Sequence, residues 1–233
     1  MSDFFSVNSV FFTLLGYPMS YLEFFGTLFN LWAVWLVARN RISNWPVGMV
    51  GIALFAFQFY QIQLYSDLLE QIYFFTMSIY GWWSWSHPRS PAEEDRRHEL
   101  RITSNTRKEN AAYLLATMVG TALLGAAMVR IHLWLPGMFP RAASFPFLDA
   151  LTTVMSVLAM ILQARRRIEN WYYWIAVDVL AIDIYFAKNV RLVALLYFIF
   201  LLICVKGLLD WRREWKETSA EATPSARGIG PQP

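Results

Sequence analysis

The sequence has a single cysteine, Cys204, among 233 residues, which excludes a disulfide within the chain and a cysteine metal site. It also has little charge: 16% of its residues are charged and 57% are hydrophobic. That balance is too apolar for a soluble domain of this size. The three histidines, His87, His98 and His132, stand in loops or at the ends of apolar runs. Walker loops, zinc-ligand spacings and a serine or cysteine nucleophile beside a histidine are all missing, so no catalytic, cofactor or metal site is expected. The start lacks a basic n-region and a small-residue cleavage site, so a cleaved signal peptide is not expected either.

What the sequence has is apolar blocks of roughly 20 residues, the length of helix that crosses a bilayer. They predict an all-α polytopic membrane protein with seven spans, at about residues 21–38, 45–62, 67–85, 111–134, 147–164, 171–187 and 192–211. Asn44 is a natural N-cap for the second span, with Pro46 in its first turn. His87-Pro88 closes the third, and Leu135-Pro136-Gly137 breaks the fourth. Residues 1–17 are apolar but short, stop at Gly16-Tyr17-Pro18, and read as an interfacial helix. Residues 218–233, rich in Ser, Ala, Gly and Pro, are expected to be disordered.

The net charge of +3 lies almost entirely between the apolar blocks, so it speaks for membrane topology and against nucleic acid. With seven spans, Arg39, Arg41, the cluster at 89–108, Arg165, Arg166, Arg167, Lys206, Arg212, Arg213 and Lys216 fall on one side. Only Arg130, Arg141, Lys188 and Arg191 fall on the other. The positive-inside rule then puts the N-terminus outside and the C-terminus in the cytoplasm.

Shifted by 126 residues, the chain matches itself without a gap. Leu22 meets Leu148, Asn44-Trp45 meets Asn170-Trp171, Gly81 meets Gly207 and Trp85 meets Trp211. The matches cluster at turns and caps, where shared apolarity would not put them. The chain therefore divides into an interfacial segment (1–19), a three-helix repeat (20–85), a connection with a linker helix (86–145), a second repeat (146–211) and a cytoplasmic tail (212–233). An odd number of spans plus a linker span makes the repeats parallel. That is a 3+1+3, SWEET-like order with substrate near the midplane between the repeats.

Polar residues inside spans are costly in hydrocarbon and mark candidate sites. Trp171, Trp174 and Asp178 share one helical face, an aromatic wall beside an acid that suits a flat cation. Gln71 lies on a stripe with Asp67, Phe74, Ser78 and Gly81, where it can exchange hydrogen bonds with an amide; Gln58 and Asn30 are similar. Each has a plainer alternative. Asp178, Gln71, Gln58 and Asn30 can serve helix–helix hydrogen bonds, and Trp174 can belong to an interfacial belt. Trp45 and Trp171 can be anchors, and Asn44 and Asn170 helix caps. Glu23 and Asp149 read as solvated helix starts. Gly48, Gly51, Gly120 and Gly125 permit close helix approach, and Pro46 with Gly48 is a hinge candidate.

The runs Asn44-Trp45-Pro46-Val47-Gly48, Gln61-Ile62-Gln63-Leu64-Tyr65, Gln71-Ile72-Tyr73-Phe74-Phe75 and Ile79-Tyr80-Gly81-Trp82, with Glu169-Asn170-Trp171 and Trp174, resemble the PnuC nicotinamide riboside transporters. The resemblance covers almost the whole chain. It implies a homotrimer in a bacterial inner membrane that carries a vitamin by facilitated diffusion, with phosphorylation inside the cell trapping the substrate. On this resemblance, Trp174 would stack on the flat, positive pyridinium of nicotinamide riboside, Asp178 would lie near it, and Gln58 or Gln71 would pair with the carboxamide. Related members resemble thiamine or riboflavin transporters, and thiamine too carries a cationic ring. A seven-helix sensor or assembly protein is the reading from another class, and the short tail without a signalling module counts against it.

Overall fold

The structure is a computed structural model, and it describes residues 4–14, 16–63, 65–95, 99–135, 137, 145–187 and 191–221. His98, Pro136, Pro140, Arg141 and Lys188 lie outside the described residues. Seven helices follow one another: α1 (Tyr21–Ala38), α2 (Asn44–Gln61), α3 (Tyr65–Ser86), α4 (Arg107–Trp134), α5 (Pro146–Ala164), α6 (Asn170–Ala187) and α7 (Arg191–Glu221). Capping starts several of them. The Ser20 hydroxyl accepts from the Glu23 N–H ahead of α1, and Thr106 and Glu109 form a reciprocal capping box at α4.

Six helices close into a ring, α1–α2–α3–α5–α6–α7 and back to α1, each packed against the next. Helix α4 lies outside this ring against α5. Helices α1, α4, α5 and α7 are long and apolar enough to cross a membrane by length and composition. Helices α2, α3 and α6 fall below that threshold, and these are the helices that carry Asn44, Gln71 and Asp178.

Two expectations for the ends of the chain need correction. The interfacial helix expected over 1–17 is instead an antiparallel hairpin, β1 (Val10–Leu14) with β2 (Tyr17–Ser20). Gly16 takes φ +83°, a left-handed turn conformation that reverses the chain. The flanking Val, Phe and Thr residues suit strands. Phe11 packs on Tyr21 and Phe24, with ring centroids 4.6 and 5.2 Å apart. Gln61 at the end of α2 accepts from the Val7 N–H and donates to the Phe5 carbonyl, at 3.2 and 2.6 Å. Burial, then its hydrogen bond to the Glu23 carboxylate, pushes the Tyr17 phenol up to about 12, so it remains the donor in that 2.9 Å bond at neutral pH. At the other end, α7 continues to Glu221, so 218–221 are helical. An Arg213–Glu217 pair at 2.9 Å and a bond from the Thr218 hydroxyl to the Glu214 carbonyl extend it. Residues 222–233 lie outside the described residues.

One end of the ring is floored by tryptophan. Trp45 and Trp171 are 1% exposed, and Trp85 and Trp211 are fully buried. Their rings form a row, with centroids 5.3 Å apart for Trp45–Trp85, 6.0 Å for Trp85–Trp211 and 5.5 Å for Trp211–Trp171. The Trp85 indole N–H donates to the Gln163 carbonyl of α5 at 3.1 Å, and the Trp211 indole donates to the Val37 carbonyl of α1 at 2.9 Å. Gly81 faces the Trp45 ring and Gly207 faces the Trp171 ring so closely that a Cβ at either would overlap the indole. Gly81→Ala is therefore expected to destabilise the protein by about 1–3 kcal/mol, the usual cost of overpacking. A fall in its unfolding temperature in detergent would register this.

Beneath the floor, the chain between α3 and α4 is held by Arg166, which is fully buried. Its guanidinium donates to Asn40 Oδ1 at 2.7 Å and to Glu99 at 2.9 Å, meets Asp95 at 3.4 Å and the Leu100 carbonyl, and covers the Trp85 ring at 4.3 Å. Asn40 and Arg166 hold the same left-handed conformation, φ 54° and 53°, at the turns that end α1 and α5.

Candidate functional site

A cavity of about 430 Å³ occupies the centre of the ring, and all six ring helices contribute to its wall. It is within the size range of small-molecule sites. Seven of the nine residues singled out by sequence line it: Asn30, Asn44, Trp45, Gln71, Trp171, Trp174 and Asp178. Gln58 and Asn170 do not. Gln58 stands off the wall with Oε1 buried and unbonded among the described residues. Asn170 opens α6, its side-chain amide donating back to the Arg167 carbonyl at 2.5 Å, while its Oδ1, the atom a cap would use, has no partner among the described residues. Asn44 makes the equivalent 2.7 Å bond to the Arg41 carbonyl. It is the first residue of α2, whose N-cap is Ser43, so the expected N-cap role is corrected to a bond back into the preceding turn, and Asn44 also borders the cavity.

Helix spacing explains the α6 face. Trp171, Trp174 and Asp178 recur every three or four residues and turn inward together. The Trp174 indole donates to Gln163 Oε1 at 3.1 Å, which fixes the ring, and the ring lies 6.4 Å from Phe74. Asp178 is 5% exposed; it lies within hydrogen-bonding reach of the Cys204 thiol, and its Oδ2 has no partner among the described residues. The Trp45 and Trp171 indole N–H groups likewise have none. On α1, the Asn30 amide donates to the Gly26 carbonyl at 2.8 Å and packs against Gly51, where a Cβ would collide with it.

Asp67, Glu70 and Asp178 all border the cavity, while no lysine, arginine or histidine among the described residues does. Trp45, Trp171, Trp174, Phe74, Tyr185 and Tyr197 supply aromatic walls. Such a container attracts positive charge and offers flat faces for it to lie on.

Much of the lining comes in pairs 126 residues apart: Asn30 with Ser156, Val37 with Gln163, Trp45 with Trp171, Gly48 with Trp174, Ile52 with Asp178, Gln71 with Tyr197 and Ser78 with Cys204. The sequence reading missed Ser156, Gln163, Tyr197 and Cys204 as wall residues. Three of them were within reach, since the 126-residue shift pairs them with Asn30, Gln71 and Ser78. Gln163 had no such signal: its counterpart is Val37, and a glutamine near the end of a span reads as a helix terminus.

The model of the family described as "Nicotinamide mononucleotide transporter" matches residues 20–213. The chain belongs to this transporter family. It is 31% identical to the nicotinamide riboside transporter PnuC of Escherichia coli (strain K12) over 94% of this chain and 98% of that relative. It is 25% identical to the riboflavin/roseoflavin transporter RibM of Streptomyces davaonensis, over 95% and 97% of the two chains. Among solved structures, the crystal structure of the vitamin B3 transporter PnuC superposes with a TM-score of 0.64 at 22% identity, covering 84% of this chain and 83% of that one. The fold is therefore shared with a transporter, and the apolar helices of this family member make it a multi-pass membrane protein.

Proposed function

We propose that this protein carries nicotinamide riboside across a bacterial inner membrane by facilitated diffusion, and that phosphorylation inside the cell traps the substrate. The observation that carries the reading is the cavity itself: three carboxylates, no basic group among the described residues, and aromatic walls. A nicotinamide riboside cation brings a flat, positively charged pyridinium, which Trp174 can face while Asp178 balances its charge. Gln71, also on the wall, is placed to exchange hydrogen bonds with the carboxamide; Trp45, Trp171, Asn30 and Asn44 complete the enclosure. Gln58 and Asn170 drop out of the substrate assignment, because neither borders the cavity. Riboflavin, the cargo named for one relative, is uncharged, and the carboxylates give it no comparable partner.

The parallel 3+1+3 arrangement of residues 20–85 and 146–211 about the linker helix is part of the same proposal. The closed ring, the reciprocal bonds of Trp85 and Trp211, and the paired lining residues support it. Seven membrane crossings, with the N-terminus outside and the basic turns in the cytoplasm, belong to the same proposal. A homotrimer follows from the family resemblance.

Liposomes containing only this protein should take up labelled nicotinamide riboside saturably without an imposed proton gradient. Unlabelled nicotinamide riboside should compete far better than riboflavin, and thiamine provides the cationic control. Uptake that needs a proton gradient, or riboflavin competing best, would overturn the proposal.

A further inference from the structure

A second concavity, about 420 Å³, lies where the chain between α3 and α4 folds back against the α5–α6 turn. Four arginines border it, Arg89, Arg101, Arg165 and Arg167, against one carboxylate, Glu93. The positive excess arises from how the neighbouring acids are used. Asp95 and Glu99 are turned to Arg166. Glu169 accepts from the Ser104 hydroxyl and the Asn105 N–H at 2.7 and 3.0 Å. Glu109 meets Arg167 at 3.3 Å but is also held by the Thr106 N–H at 2.6 Å. Arg165 bonds the Tyr113 hydroxyl at 3.3 Å, and neither it nor Arg89 has an ion-pair partner among the described residues.

Like charges gathered in one hollow repel unless an anion joins them. Guanidinium groups present planar pairs of N–H donors that match phosphate oxygens. The rim is aromatic: Trp83 stacks on His87 at 5.5 Å between centroids, and Tyr80 and Trp83 are exposed. Aromatic residues of this kind favour the headgroup level of a bilayer.

We propose that this hollow binds a phosphate-bearing ligand. Two sources share that chemistry, the headgroup of an anionic phospholipid reached across Tyr80 and Trp83, and a soluble phosphorylated nucleoside. The hollow shares no lining residue with the central cavity, so the inference does not depend on what the cavity carries.

The test uses the full chain in nanodiscs, as parent, as the double variant Arg89→Gln/Arg165→Gln, and as Glu93→Gln. Both substituted arginines are exposed, so folding should survive. For the lipid source, adding phosphatidylglycerol to phosphatidylcholine nanodiscs should raise the unfolding temperature of the parent, raise that of Glu93→Gln further, and leave the double variant unchanged. For the soluble source, nicotinamide mononucleotide should bind by calorimetry in the presence of saturating nicotinamide riboside. The double variant should then bind about tenfold more weakly, and Glu93→Gln more tightly. Either pattern supports the proposal and identifies the source. Failure of both probes to act, or equal action on the parent and the double variant, would overturn it.

Discussion

Asp178→Ala is expected to weaken nicotinamide riboside binding by about 10- to 100-fold, or ~1.4–2.8 kcal/mol, while the protein stays folded. Asp178 is almost wholly enclosed, borders the central cavity, and holds one carboxylate oxygen without a partner among the described residues. A buried acid with an unused acceptor is well placed to answer a cationic ring. Removing it should harm the fold little, because its neighbour is the Cys204 thiol, a weak donor that tolerates the loss. Asp178→Asn keeps the shape and removes the charge, so it should lose most of the same affinity. Reduced nicotinamide riboside, whose ring is uncharged, should bind the parent and both variants alike. Calorimetry on the purified proteins separates the cases. If Asp178→Ala binds the cation as the parent does, Asp178 serves packing alone and the cation argument falls.

The second large effect concerns stability. Arg166→Ala is expected to cost about 3–5 kcal/mol, the range for removing one partner of a buried charge network. The side chain is fully buried, and its loss takes a cationic partner from Asp95 and Glu99 and a donor from Asn40 Oδ1 and the Leu100 carbonyl. Arg166→Lys should recover little, because a single ammonium cannot replace a planar fork whose nitrogens serve separate partners. Thermal unfolding in detergent measures the loss. Limited proteolysis should at the same time find new cleavage near residues 91–103, which Arg166 ties to the bundle. An unchanged melting temperature with the same cleavage pattern would contradict the prediction.

These two residues also mark how far the sequence could be read. Asp178 was legible because helical spacing sets it on one face with Trp171 and Trp174, and a carboxylate inside an apolar helix demands a reason. Arg166 was not legible. Charge alone makes Arg165, Arg166 and Arg167 one basic cluster, whereas the left-handed turn at Arg166 drives its side chain inward and leaves Arg165 exposed. The helices themselves were visible in block length and breaks, and their ends moved by a few residues, except that α7 runs ten residues past the expected 211. The N-terminal run was misread because a short stretch of Phe, Val and Thr fits a strand as well as a helix. What tipped it was Gly16 and the aromatic faces of α1, a tertiary influence. Gln163 escaped for the same reason: its importance lies in what folds against it, Trp174 on its side chain and Trp85 on its carbonyl.

The row of four indoles has a consequence for motion. Trp85 is bonded to α5 and Trp211 to α1, and the two rings touch. The end of α3 therefore grips α5, and α7 grips α1, as in a two-handed clasp. Tilting α1–α3 away from α5–α7 strains both indole bonds together and slides one ring along the other. A floor built this way yields at both bonds together or at neither.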